Sequence, residues 1–596
     1  MFDFRRVRSF HLALNATGAV GGVHGRLGTS RRFARYDGRM GYVATFDAGT
    51  TAMKGALVSD DGRIVASSSV LLDLLVDGDR REQDPDQWWR AFCKASRTML
   101  AQAREALPHF NDADIVGVIF SGQMQDLIAL DGDLRPVRNA ILYSDGRADA
   151  QARKIAARLQ GGAGRFLEIV GNRLEGCLPL PKLMWLREQE PETFARIRHV
   201  LISSKDYLIA RLAGVCVGDV AACSTAGAMN IRTGRWDAEI CGCAGIDSAL
   251  ADDAADDVDY ADGACNPVKP VNPAYAADDD VADADDACDA EAPEASEAAE
   301  ASDVAEAPDD VGGKSALDAG ILPRLYTPQS VVGSVTAEGS AQSGLPEGTR
   351  VFAGFGDAGA TTFASGVAAP GQYNINLGTS GWIATVSRHP FTDKPGAANL
   401  AFGVSPDFVN AVPFLNAGDV HKWAVSTFAD GDYDKAHALL ESSVPGAHGV
   451  LCLPYLVGER FPVMNAAIRG AFVGIGPDST RADMLRAALE GVAFSIRQGM
   501  GSFDDAPSSI TLIGGGARET VWCQMLADVL GSSVEVFENA DILPAVSLAS
   551  LVLRDDRLPE RCRRSRMYMP DARNAAVYDE AYRRFLGLYP ALSTLD

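Results

Sequence analysis

One short device occurs twice in this chain, once in each half, and it limits the possible folds more than any other feature of the sequence. Residues 41–46 read as an apolar strand that runs into Asp47-Ala48-Gly49-Thr50-Thr51. Residues 54–58 then read as a returning strand, Asp60-Asp61-Gly62 as a tight turn, and residues 64–70 as a third strand. In the second half, residues 374–377 lead into Gly378-Thr379-Ser380-Gly381 and a strand over 382–386. A glycine at such a turn lets a phosphate approach the backbone. The hydroxyls of Thr50, Thr51 and Thr379, with the loop N–H groups, can donate to it. A carboxylate at the strand end, Asp47, can hold a metal, usually through water. Either turn alone is common. Two related phosphate turns imply a duplicated α/β domain with a nucleotide bound between the halves.

Two further glycine clusters fit that plan. Gly354-Phe355-Gly356-Asp357-Ala358-Gly359 follows a strand expected over 350–355 and precedes a helix-like run. Spelled out, it matches the dinucleotide fingerprint. That fingerprint needs an acid about 20 residues on for the ribose, and no Asp or Glu occurs between Asp357 and Asp393. Asp357 would also repel a pyrophosphate. It reads better as a carboxylate beside the cleft that takes a proton. Gly514-Gly515-Gly516-Ala517 lies between a strand over 509–513 and a helix over 519–530. It offers a flat surface for a base or a phosphate, or is a plain tight turn. The Gly-Gly-Lys-Ser run at 312–315 is no P-loop, because Pro308 stands where the first glycine must be.

Composition narrows the class. The chain of 596 residues is 47% hydrophobic and 22% charged, which is globular. It has no apolar run long enough to span a membrane. The net charge of −24 is local: residues 246–310 hold 22 acids against Lys269, and residues 1–40 hold eight Arg against two Asp. We expect an acidic disordered insertion over 246–312, since Ala, Asp, Glu and Pro cannot bury enough apolar surface to offset ordering entropy. Residues 1–39 are expected to be a non-core extension. No basic, aromatic-interleaved stripe speaks for nucleic acid. The 11 cysteines form no CxxC pair, which suits a reducing cytoplasm. The eight histidines show no paired spacing, so no zinc is expected. Trp88 and Trp89 lie on an amphipathic stretch over 83–105 and read as packing. Lys182 and Trp185 read as packing and pairing within the first half.

These residues together resemble the FGGY carbohydrate kinases. Residues 46–54 (FDAGTTAMK) are similar to that family's first phosphate motif, residues 179–189 (PLPKLMWLREQ) to its first signature, and residues 470–490 to its second. Gly354–Asp357, Gly378–Ser380 and Gly514–Ala517 follow in the family's order, over about residues 40–551. The resemblance implies a two-domain actin/hexokinase-like (ribonuclease H-like) fold with an interdomain cleft. The first domain would run over 40–321 and the second over 322–596. It implies ATP and Mg²⁺ as cofactors, Asp357 as general base and Asp47 on the metal. Thr50, Thr51, Lys54, Gly378 and Thr379 would hold phosphates, and Gly514, Gly515 and Gly516 the adenosine. Gln123, Met124, Asp145 and Arg147 would contact the sugar. The expected reaction phosphorylates a primary hydroxyl of a small sugar, D-xylulose first, with another ketose, gluconate or a polyol as alternatives. A non-catalytic nucleotide clamp is the rival class, and a homodimer is an expected assembly. Two segments depart from the ketose-kinase pattern. Gln123-Met124-Gln125-Asp126 replaces Gln-Met-His-Gly, and Leu543-Pro544-Ala545-Val546 replaces a Gly-Ala-Ala helix start.

Overall fold

The structure, a computed structural model, describes residues 40–246 and 319–594, except 79, 379, 395, 504 and 541. The extension expected over 1–39, the acidic insertion expected over 246–312 apart from Ile246, and Thr379 lie outside the described residues.

Strands β1 (Tyr42–Ala48) and β2 (Ala52–Ser59) pair antiparallel around the turn at 49–51, and β3 (Ile64–Leu71) pairs antiparallel with β2. In β1 only Asp47 is not buried. A strand covered on both faces reads as a continuous apolar run, with no alternation. Helix α1 (Pro85–Ala106) starts where Asp84 accepts a hydrogen bond from the Asp86 N–H, with Pro85 at the first position. Its buried stripe of Trp88, Phe92, Ala95, Met99 and Ala103 has helical spacing and joins the core of the first sheet. The packing reading of both tryptophans holds. β4 (Ile115–Gly122) then runs parallel to β1. Helices α2 (Pro179–Gln189), α3 (Ser204–Ala213) and α4 (Val220–Cys223) follow.

After the undescribed segment come β5 (Val331–Ser334), β6 (Arg350–Phe352) and β7 (Phe355–Gly356). All three join the first sheet, whose order is β5-β6-β4-β1-β2-β3 with β7 beside β4. A division between residues 321 and 322 does not foresee this pairing, because parallel strands far apart in sequence leave no local signal. The single strand expected over 350–355 is broken. Gly354 takes φ +71° against β4, where a Cβ would lie 2.1 Å from the Phe120 carbonyl oxygen.

Helix α5 (Asp357–Ala364) leads to the second sheet: β8 (Gln372–Leu377), β9 (Gly381–Ser387), β10 (Ala398–Ala401) and β11 (Phe408–Phe414). Then come α6 (Gly418–Phe428), α7 (Arg481–Met500), β12 (Ser509–Ile513), α8 (Thr520–Leu530), β13 (Val534–Phe537), α9 (Leu543–Leu553) and β14 (Ser565–Tyr568). The order is β10-β11-β9-β8-β12-β13-β14. In each sheet three antiparallel strands (β3-β2-β1 and β11-β9-β8) are followed by two parallel ones and an antiparallel edge strand, and the second sheet adds β10 antiparallel to β11 at its other edge. The duplication read from two turns is thus a duplication of whole sheets, each of ribonuclease H-like topology.

One apolar cluster joins the halves. It combines Val43, Val58 and Ile119 of the first sheet, Val386 and Val409 of the second, and Val546, Ala549 and Val552 of α9. Leu543-Pro544-Ala545-Val546 forms the first turn of α9, a position that tolerates proline. Asn172 and Asn399 also tie the halves: the Asn172 amide donates to the Asn399 carbonyl at 2.8 Å and accepts from its N–H at 2.8 Å. Among the described residues no helix is long and apolar enough to cross a membrane.

Candidate active site

Strands β1, β4 and β7 run parallel and end together. Asp47 lies opposite Ser121, and Ser121 opposite Phe355. Asp47, the Gln123-Met124 segment and Asp357 therefore leave three adjacent strands at their carboxyl ends, where sheets of this kind take their ligands.

Asp357 is the first residue of α5, and its Oδ1 accepts from the Ala358 N–H at 2.8 Å. The residue is solvent-accessible, yet protein atoms crowd its carboxylate closely enough to desolvate it. That enclosure, then the charges of Asp47 and Asp219, push it up to about 7. A group titrating there is suited to take a proton near neutral pH. Met124 lies across the neighbouring backbone, since a Cβ on Gly356 would sit 2.0 Å from its Sδ. The glycines of the 354–359 run thus answer to packing. None of Gly354, Gly356 and Gly359 has room for a Cβ, let alone a dinucleotide.

Asp47 accepts from the Ser121 hydroxyl at 3.0 Å, and Lys54 lies 3.8 Å away with its ammonium in solvent. Thr51 is exposed. Thr50 donates to Gln123 Oε1 at 2.6 Å. Gln123 is buried, and its amide nitrogen donates to Gln83 Oε1 at 3.0 Å. Gln83 in turn donates to the Thr50 carbonyl at 2.8 Å. Gln123 therefore braces the first phosphate turn, with both amide atoms engaged by protein groups.

Asp145 and Arg147 form a buried ion pair. Arg147 donates twice to Asp145, at 2.9 and 2.6 Å, reaches Glu82 at 2.8 Å, and stacks over Trp185 at 5.0 Å. Burial would raise the Asp145 carboxyl, but hydrogen bonds from Arg147 and the Arg81 N–H hold it below its usual value. Asp145 is thus fully engaged within the first half. Arg147 Nη1 is buried with no hydrogen-bond partner among the described residues.

Two buried ionisable groups here, Asp126 and Lys182, are named in the sequence reading without a role in the site. Asp126 is wholly buried; its Oδ1 accepts from the Tyr143 N–H at 3.0 Å and its Oδ2 has no hydrogen-bond partner among the described residues. Burial raises its carboxyl well above the usual range against the pull of Lys182. Lys182 donates to the carbonyls of Leu142 at 2.7 Å and Gln125 at 3.3 Å, and burial draws its ammonium down to about 8. The only sequence signal was charge inside apolar runs.

In the second half β8 and β12 are parallel neighbours, so Gly378 and Gly514 end adjacent strands. The Gly378 carbonyl accepts from the Gly418 N–H at 2.7 Å. Gly514 and Gly516 press on Leu377, whereas a Cβ on Gly515 would meet nothing within 4 Å. The cluster therefore has one face packed and one open.

Among the described residues no group of three or more His, Cys, Asp or Glu is placed to hold a metal. Mg²⁺ needs no such cage, since it is bound through one or two carboxylates, waters and substrate phosphates. The half-exposed Asp47 beside the first turn fits that donor set.

Two sheets of one topology, each ending in a glycine turn, with two carboxylates on one of them, define a two-lobed phosphotransferase of the actin and hexokinase class. The chain belongs to the FGGY family of carbohydrate kinases: the model of the family's N-terminal domain matches residues 42–252, and that of its C-terminal domain residues 373–546. It is 26% identical over 570 residues to a xylulose kinase of Bacillus subtilis, covering 94% of this chain and 98% of that protein. It is 25% identical over 514 residues to a gluconokinase of Bacillus licheniformis, covering 84% of each. The crystal structure of xylulose kinase from Rhodospirillum rubrum superposes with a TM-score of 0.74 at 25% identity, covering 94% of this chain and 99% of that one.

Proposed function

We propose that this enzyme phosphorylates a primary hydroxyl of D-xylulose with Mg-ATP. The observation that carries the reading is the shared edge of β1, β4 and β7, which brings Asp47 and Asp357 together beside Met124. Phosphoryl transfer needs positioning and charge neutralisation more than covalent help. Asp357 accepts the proton of the attacking hydroxyl. Asp47 holds Mg²⁺, which supplies charge neutralisation at the phosphate oxygens when bound. Thr50, Thr51 and Lys54 hold the phosphates from one half, and the turn at Gly378 from the other. Gly515 leaves the adenosine a flat approach. Met124 and Gln125 line the acceptor side, with Arg147 Nη1 as the unpartnered donor behind it. Closing the halves excludes water, which otherwise competes as acceptor.

Gluconate is the second reading. A gluconokinase is nearly as similar as the xylulose kinase, and Gln125 stands where the ketose pattern has histidine. Coupled ADP release with Mg-ATP and a panel of D-xylulose, D-ribulose, L-ribulose, sedoheptulose, gluconate and glycerol decides. Release that rises with D-xylulose and collapses in Asp357→Ala is expected. Release with gluconate alone moves the substrate, and sugar-independent release sinks the kinase mechanism.

A further inference from the structure

The turn that opens α3 touches the carboxyl ends of β1 and β4 and the segment that leads into β7. The Ser204 hydroxyl donates to the Ala48 carbonyl, the last residue of β1, at 2.6 Å. The Ser203 hydroxyl donates to the Gln123 carbonyl, just past β4, at 2.7 Å. The Ile202 carbonyl accepts from the Asp126 N–H at 3.0 Å. The Lys205 ammonium donates to the Ala353 carbonyl, two residues before β7, at 3.1 Å. The turn sits flush on the sheet, since a Cβ on Gly122 would lie 2.7 Å from Ser204 Oγ and 3.0 Å from the Lys205 nitrogen.

Lys205 is held in turn by Asp206 at 2.5 Å and Asp219 at 2.8 Å. Ser203, Ser204, Lys205, Asp206 and Asp219 are all without solvent exposure. Asp219 also caps α4, accepting from the N–H groups of Ala221 and Ala222 at 3.0 and 3.1 Å. Ala222 packs on Gly356, where a Cβ would be 3.3 Å from its methyl. The charged cluster therefore reaches the Asp357 segment from two sides. Apolar residues of similar volume would fill the same space without the desolvation cost of three buried charges, so packing alone does not account for these side chains.

The geometry points to the turn at 202–206, with Asp219, as a clamp that sets the spacing of Asp47, the acceptor segment and Asp357 for phosphoryl transfer. These are positioning residues, since none touches a reacting atom. The inference rests on the sugar-kinase reading above. It predicts that loosening the clamp lowers turnover more than binding, because each substrate keeps its own contacts while the reacting groups lose register.

Two variants test it. Ser203→Ala/Ser204→Ala removes two fastenings without touching a charge. Lys205→Met/Asp219→Asn removes the third with no change in net charge, the Asn side chain keeping an acceptor for the α4 cap while Asp206 loses its cation. Each is compared with wild type for kcat, for KM of ATP and of the sugar, for ADP released per sugar phosphate formed, and for thermal unfolding. The expected result is a kcat lower by about ten- to a hundredfold, with both KM values within about threefold of wild type. ADP released per sugar phosphate should rise above one, as water competes at a misaligned acceptor site. A folded variant with wild-type kcat and coupling overturns the clamp, as does a rise in KM at constant kcat. If the charge-pair variant fails to fold, the serine variant decides alone. Sugar-dependent release in wild type with unchanged variants removes only the clamp, whereas no release in wild type removes the kinase reading with it.

Discussion

Adjacent glycines of the 514–516 run should respond to the same substitution in opposite ways. Gly514 has φ +98° and ψ 176°, a region closed to side chains, and holding alanine there costs about 1–3 kcal/mol. The added Cβ would also lie 2.6 Å from the Leu377 carbonyl carbon and 2.7 Å from Asn376 Oδ1. Leu377 is strand backbone and cannot move aside cheaply, so Gly514→Ala should cost about 2–4 kcal/mol in all. At about 2–4 °C per kcal/mol for a domain of this size, Tm should fall by about 5–15 °C. Gly515 has ordinary φ and nothing within 4 Å of its Cβ position. Gly515→Ala should hold stability within about 0.5 kcal/mol. Its methyl instead enters the face proposed for adenosine, raising KM for ATP about tenfold, equivalent to about 1.4 kcal/mol, with KM for the sugar unchanged. Thermal unfolding and coupled ADP release at varied ATP read both effects. Wild-type KM for ATP in Gly515→Ala, or wild-type Tm in Gly514→Ala, would refute the reasoning.

Asp357 must be ionised to accept a proton, and its carboxyl lies at about 7. Sugar-dependent kcat/KM should therefore fall as pH drops through about 7, by about tenfold per unit beneath it; a profile flat down to about pH 5 contradicts the assignment. Arg147→Met leaves the wholly buried Asp145 without its cation and should cost about 3–5 kcal/mol in urea unfolding. Wild-type stability would mean that Asp145 finds another partner. Gly356→Ala drives Met124 off the strand end and should raise KM for the sugar while leaving KM for ATP unchanged; a change in ATP alone would move Met124 out of the acceptor site.

Local features of this site were legible in the sequence, and long-range ones were not. The turn at 49–51 could be read because its strands lie a few residues apart and alternate little, as doubly covered strands do. Asp357 could be read because an acid displaces the dinucleotide logic of its own glycine run. Gln123 was read from its motif alone, with no hint of its partners. Its hydrogen bonds reach Thr50 and Gln83, 73 and 40 residues away, and no local pattern predicts which way an amide turns. The pairing of β6 and β7 with β4 was hidden for the same reason. Ser203, Ser204 and Lys205 carry no local signal of their contacts, because a serine that caps its own helix and one that fastens another strand have the same spelling.

Helix α9 also bears on the order in which the chain can fold. Val552 lies where a Cβ on Gly117 would be, 2.7 Å from its Cγ1, and its neighbours cover Val43 and Ile119. The first described strand is thus covered by a helix made much later in the chain. Until residues 543–553 emerge, one face of the first sheet stays wet, and the N-terminal half cannot mature as a unit of its own. A nascent chain halted before α9 should remain protease-sensitive in β1 and β4, and emergence of α9 should protect both halves at once.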